Sequence, residues 1–135
     1  MIYYVDPLSI VLLNNRALKA EKINGNIFGG FCRCGGIMLQ KAWVDESILI
    51  SECEQCWRTE AFTFNGRKFL ERREVKAVYR HNFEEFLREI LTSSELEAVI
   101  GKARGYQYSY NAYSRAKKKL EEMNIDVSEV LSVLR

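Results

Sequence analysis

Two close thiol pairs stand out in the chain, Cys32-Arg33-Cys34-Gly35-Gly36 and Cys53-Glu54-Gln55-Cys56-Trp57, with 18 residues between Cys34 and Cys53. Thiolates one or two residues apart in a tight turn aim two sulfurs at one ion, and two such turns make the tetrahedral four-sulfur site that zinc takes. Gly35 and Gly36 supply the positive dihedrals or the close backbone approach that such a turn needs. The intervening residues are enough for two strands and a turn, which brings the second pair back under the first. Cys32, Cys34, Cys53 and Cys56 are therefore expected to hold one structural Zn2+, with iron as the minor variant. Four thiolates leave no open position for water, so no metal catalysis follows. Unligated cysteines or two disulfides are the competing reading.

Little else in the sequence could do chemistry. His81 is the only histidine, in Tyr79-Arg80-His81-Asn82-Phe83, where a surface or capping role is expected. There is no phosphate-binding glycine loop and no paired-acid motif in a helical context. The chain is read as not an enzyme. Trp43 and Trp57, beside the cysteine turns, are expected to pack a small core rather than to stack on a ligand.

A second constellation is basic. From Val99 to Leu120 there is no acidic residue, while Lys102, Arg104, Arg115, Lys117, Lys118 and Lys119 are interleaved with Tyr106, Tyr108, Tyr110 and Tyr113. Cations neutralise phosphates, and tyrosines can bond phosphate or stack on exposed bases. A solvated helix with internal ion pairs, given Glu121 and Glu122 downstream, would look much the same. Arg67, Lys68, Arg72, Arg73, Lys76 and Arg80 form a further basic stretch, diluted by Glu71 and Glu74. Up to Gly66 there are 6 basic and 7 acidic residues; beyond it there are 14 and 11.

The elements that must position these groups follow from length and pattern. At 135 residues, with 47% hydrophobic and 12% aromatic residues, the chain can fill a packed core. No apolar run approaches a membrane span, and the N-terminus lacks the pattern of a secretory signal. A cytoplasmic, reducing setting is expected, which favours metal ligation over disulfides. Met1 to Val5 reads as a strand. Asp6-Pro7 can start a helix over about Pro7 to Lys22, the alternative being two strands around Asn14-Asn15. The stretch from Asn26 is β-rich, with a turn at Asp45-Glu46-Ser47 and a hairpin at Asn65-Gly66. After Arg72 the period turns helical, through Val75, Val78, Phe83, Phe86, Leu87, Ile90 and Leu91. Further helices are capped at Thr92-Ser93-Ser94-Glu95, at Ser109 and at Asp126.

The predicted fold is thus α+β: residues 1–72 form an N-terminal element plus a small β module, and residues 73–135 a helical domain. Phe31 to Phe69 resembles a zinc ribbon, a fold common in transcription, replication and translation proteins, with CxC in place of the usual first CxxC. The order CxC then CxxC also resembles the zinc switch of redox-regulated chaperones, which implies metal release on oxidation. The helix from Ser94 to Arg104, a glycine-containing connection, and the segment Ser109-Tyr110-Asn111-Ala112-Tyr113-Ser114-Arg115-Ala116-Lys117-Lys118-Lys119-Leu120 resemble a helix-turn-helix. That resemblance implies Tyr110, Asn111, Tyr113, Ser114 and Arg115 for the groove and Lys117, Lys118 and Lys119 for phosphates, with Lys102 and Arg104 nearby.

The expected function is DNA binding, to a duplex, in transcription regulation or replication. A symmetric homodimer would suit half-site recognition. The alternatives are a zinc-stapled adaptor that docks on a protein partner of a nucleic-acid machine, and the redox switch. No membrane partner is expected.

Overall fold

The computed structural model describes residues 1–135. The chain divides into two compact units. The first comprises Met1–Val5, Ser9–Asn14 and Leu18–Ala77; the second comprises Asp6–Leu8, Asn15–Ala17 and Val78–Arg135. Nine strands make one sheet: β1 (Ile2–Val5), β2 (Ile10–Leu13), β3 (Arg16–Lys19), β4 (Glu21–Lys22), β5 (Phe28–Phe31), β6 (Ile37–Val44), β7 (Ile48–Cys53), β8 (Thr59–Asn65) and β9 (Lys68–Val78). Their order is β3-β2-β1-β9-β8-β7-β6-β4, with β5 also on β6.

Only Ala20 separates β3 from β4, so the two ends of the sheet are one run of chain. β3 bonds to β2 and β4 to β6, so this run of chain links the two ends of the sheet and closes it into a barrel. Side chains alternate across each strand. The inward set, Tyr4, Val11, Ala42, Ile50, Ala61 and Val75, fills the interior. The outward residues of β6, β7 and β8 do not simply meet water: Met38, Leu49, Cys53 and Phe62 join Cys32 in a second apolar cluster, with Trp43 and Phe64 against it. Gly30 of β5 covers that cluster. A Cβ there would lie 3.1 Å from the Phe62 ring.

One expected helix and the start of an expected helical stretch are strands. The stretch Pro7 to Lys22 keeps only a three-residue 3-10 turn, Asp6–Leu8, and then forms β2 and β3. Asn14 and Asn15 have φ of 52° and 61°, the paired positive dihedrals of a tight hairpin turn, so the alternative pair of strands is what forms. The residues after Arg72 extend β9 to Val78. Val75 and Val78 are spaced for a helix, but Val75 faces the barrel interior opposite Thr59, where sheet bonding on both sides of β9 prevails. The segment 31–69 is accordingly not a free-standing ribbon. It is part of a sheet that takes in the N-terminal strands. The turns at Asp45 and at Asn65-Gly66 form as expected, with positive φ at Asp45 and Gly66.

The helical unit holds α1 (Phe83–Ile90), α2 (Ser93–Arg104), α3 (Tyr110–Glu122) and α4 (Val127–Leu134), with a 3-10 turn at Arg80–Asn82. Helix α2 packs on the other three. Phe83, Phe86 and Leu87 of α1, Leu96 and Val99 of α2, Ala112, Ala116 and Leu120 of α3, and Val130 and Leu131 of α4 are buried. The end signals read from sequence are in place. Thr92 and Glu95 form a reciprocal capping box, Gly105 closes α2 at φ 76°, Ser109 accepts from the N–H of Ala112, and Asp126 accepts from that of Ser128. His81 sits exposed in the 3-10 turn, stacked on Tyr79.

Candidate metal centre and basic helix

Both cysteine turns lie at the same end of the β6–β7 ladder, because Met38, next to the first turn, pairs with Cys53. Each turn closes as a miniature hairpin. Cys32 donates its N–H to the Gly36 carbonyl at 2.9 Å and Cys53 donates to the Arg58 carbonyl at 2.9 Å. The four sulfurs lie within 4.8 Å of one another, and two separations between the turns, Cys32 to Cys56 and Cys34 to Cys53, are each 3.5 Å. A disulfide requires about 2.05 Å, and all four cysteines are free. A tetrahedral ion with metal–sulfur bonds of about 2.3 Å sets its sulfurs about 3.8 Å apart. The donor set fits such an ion.

The backbone is already arranged for negative sulfur. The N–H of Gly36 points at Cys34 Sγ at 3.4 Å; those of Gln55 and Cys56 point at Cys53 Sγ at 3.4 and 3.5 Å. The Cys56 N–H, with that of Gln55, brings the Cys53 thiol down to about 6 against the effect of burial. Cys34 responds in the opposite sense. The Gly36 N–H pulls it down, but hydrogen bonding to Cys53 and Cys32 prevails and pushes it up to about 12. Cys53 gives up its proton readily while Cys34 holds its own, so a cation entering the cluster replaces protons.

The two glycines of the first turn divide the expected tasks. Gly35 takes φ 93° with open space around it, and Gly36 provides the close approach: a Cβ there would come within 2.9 Å of Cys53 Sγ. Trp57 departs from expectation. It is 71% exposed and held at φ 67°, so it does not pack. Trp43 does, with its ring 5.8 Å from that of Phe64.

A support that sequence reading missed is the buried carboxylate of Glu60 on β8. It is only 1% exposed, and Arg72 of β9 pairs with it through both Nε and Nη2. Arg72 Nη2 also donates to the Phe31 carbonyl at 2.9 Å, and the guanidinium lies 4.8 Å over the Phe62 ring. Phe31 precedes Cys32, so this pair fixes the strand that carries the first cysteine turn. The register shows why: Phe62 faces Arg72. The only sequence signal was an acid, Glu60, at an outward position of an apolar strand.

The ten basic-helix candidates separate into two groups. Arg104 bonds Glu84 at 2.8 Å and the Leu134 carbonyl at 3.0 Å. Lys119 and Arg115 of α3 approach the buried Glu95 of α2 at 2.8 and 3.9 Å. Lys102 lies over the Tyr108 and Tyr113 rings, and Tyr113 is half-buried. These five have partners within the helical unit. Tyr110, Asn111, Ser114, Lys117 and Lys118 are exposed, and their spacing along α3 sets them on one side. Glu95 is recognisable in sequence as a capping-box acid, but not as the partner of a helix 24 residues on.

A closed barrel bearing a four-cysteine cluster, followed by four helices, defines a two-domain α+β protein. The chain belongs to the AF0631-like family: residues 1–77 match the AF0631-like N-terminal beta-barrel domain and residues 80–133 the AF0631-like C-terminal four-helix domain. An uncharacterized protein of Archaeoglobus fulgidus is 38% identical over 138 residues, with 100% of each chain covered. No solved structure matches. No helix is long and apolar enough to cross a membrane.

Proposed function

We propose that the four cysteines hold one structural zinc, that the protein is not an enzyme, and that it binds duplex DNA in transcription regulation or replication. The observation that carries the DNA reading is the line of Tyr110, Asn111, Ser114, Lys117 and Lys118 on one exposed side of α3, with no acidic residue between Val99 and Leu120. Lysines in the middle of the helix contact phosphates, while Tyr110, Asn111 and Ser114 at its start face the groove. The order of α2, a short connection and α3 supports the helix-turn-helix likeness, and a symmetric dimer would present two such helices. Zinc suits an all-thiolate set that fills its coordination sphere. The four free thiols suit a reducing, cytoplasmic setting.

The test is a titration of duplex DNA with metal-loaded protein at low and moderate salt, beside Lys117→Glu/Lys118→Glu. Salt-sensitive binding that the variant loses supports the reading. A folded protein with no affinity for any duplex overturns it.

A second reading, the docking adaptor, is favoured by Trp57. A bulky side chain in the left-handed region costs about 1–2 kcal/mol, and here it gains no packing. Phe28, Phe31 and Ile37 near the same cysteine turns are also exposed. A partner protein that covered Trp57 would explain both. The redox switch draws on the exposure of Cys34 and Cys56, and it requires that mild oxidant eject the metal.

A further inference from the structure

The outer face of the β8–β9 hairpin carries a continuous run of aromatic rings. Trp43 lies 5.8 Å from Phe64, Phe64 5.9 Å from Phe69, and Phe69 6.3 Å from Phe62, with Arg72 over Phe62. Phe62 is buried and Phe69 is half exposed, so the run climbs from the barrel wall into solvent. The register explains the alignment. Phe64 pairs with Phe69 and Phe62 with Arg72, so all four share one face of the hairpin.

The charge around this face is one-sided. From Asn65 to Arg72 the cations are Arg67, Lys68 and Arg72, and the only acid is Glu71. Glu71 pairs with Thr63, one step from the Phe62–Arg72 pair, and therefore belongs to the opposite face. The acids on the aromatic face, Glu60 and Glu74, sit opposite each other at its far end from the hairpin tip, Glu60 buried and paired with Arg72, Glu74 bonded to Arg58 at 3.1 Å. Arg67 and Lys68 stand exposed at the hairpin tip.

Aromatic rings in a row beside unneutralised cations suit a polyanion with exposed flat bases. A duplex hides its bases in the stack, and an acidic protein segment offers no series of π faces. We propose that this face binds single-stranded nucleic acid, with bases stacked on Phe69 and along the Trp43–Phe64 step and phosphates at Arg67 and Lys68. The site lies wholly on the barrel unit. It does not rest on the α3 reading, and the two fail separately.

The experiment uses the full, metal-loaded chain carrying Trp57→Phe, which leaves Trp43 as the sole tryptophan reporter. It is titrated with oligo(dT) and oligo(U) of about 10 nucleotides, within the range a small single-strand-binding fold covers. The expected result is quenching of Trp43, with binding weakened about tenfold by Phe69→Ala. Arg67→Glu/Lys68→Glu should flatten its salt dependence. Lys117→Glu/Lys118→Glu should leave the quenching in place, and the dT and U arms tell DNA from RNA. Phe69 is half exposed, so its loss spares the core; metal content and circular dichroism verify each variant. No quenching at low salt, or unchanged affinity in Phe69→Ala, overturns the proposal. So does a Trp43 signal that changes with protein concentration alone, since a second copy would then be what covers the face.

Discussion

Lys119 of α3 reaches back to the buried carboxylate of Glu95 at the start of α2, with Nζ 2.8 Å from Oε1. The same carboxylate accepts the N–H of Thr92, so a single acid caps one helix and ties down another. Lys119 therefore belongs to the scaffold, whereas Lys117 and Lys118 beside it are exposed. Charge reversal at Lys119 should lower the stability of the helical unit by about 1–3 kcal/mol, since it puts a like charge beside a buried carboxylate that keeps only Arg115 as a cationic partner, 3.9 Å away. Reversal at Lys117 and Lys118 should leave stability within about 0.5 kcal/mol. Urea unfolding of the three variants checks the contrast.

Glu95 also sets a pH dependence. Burial pushes its carboxyl up, but the hydrogen bond from Lys119 and the N–H of Thr92 outweigh burial and hold it below the ordinary 4.5. A carboxyl lowered in the folded state contributes stability that is fully present above its unfolded value and is lost as pH falls through its folded one. The helical unit should thus lose stability as pH drops below about 4.5, and Glu95→Gln should be less stable at neutral pH with a flatter acid limb. An identical acid limb in both proteins would remove Glu95 from the account.

The Gly36–Cys53 approach predicts a graded response at the metal centre. Gly36→Ala puts a Cβ within 2.9 Å of Cys53 Sγ and should displace that sulfur and weaken metal retention. Gly35→Ala meets open space and should cost only the strain of its positive φ, about 1 kcal/mol or more, while metal is kept. Chelator competition with the two variants reads the difference.

Arg72→Met leaves the buried Glu60 carboxylate with only Arg58 Nε, 3.8 Å away, and should destabilise the barrel by about 3 kcal/mol. The double variant Arg72→Met/Glu60→Met should recover most of that, because the buried carboxylate is gone and Arg58 keeps Glu74 as its partner. If the double variant is no better than the single one, the bond from Arg72 to the Phe31 carbonyl, rather than the ion pair, is what matters.

The local parts of this molecule were readable and the pairings were not. Thr92, Gly105, Ser109 and Asp126 announce helix ends because capping needs only a few neighbouring residues. The cysteine spacing announces a site for the same reason. Residues 73–78 were misread, and over 7–22 the helix was preferred to the pair of strands that forms, because apolar residues three or four apart fit a helix as well as a strand bonded on both sides. What decides is β1 lying between β2 and β9, a contact across most of the barrel sequence that no local pattern encodes. Glu60, Glu95 and Phe69 took their roles from partners 12, 24 and 5 to 7 residues away. Exposure of Trp57 likewise depends on a turn whose dihedrals follow from the fold.

Metal content tests the central claim most directly. Protein purified under reducing conditions is weighed by native mass spectrometry, before and after a strong chelator, with circular dichroism on both samples. The account predicts one zinc per chain, chelation that exposes four reactive thiols, and loss of β structure on metal removal, with Cys53→Ser unable to hold the ion. A metal-free chain with four free thiols and an intact barrel would contradict it.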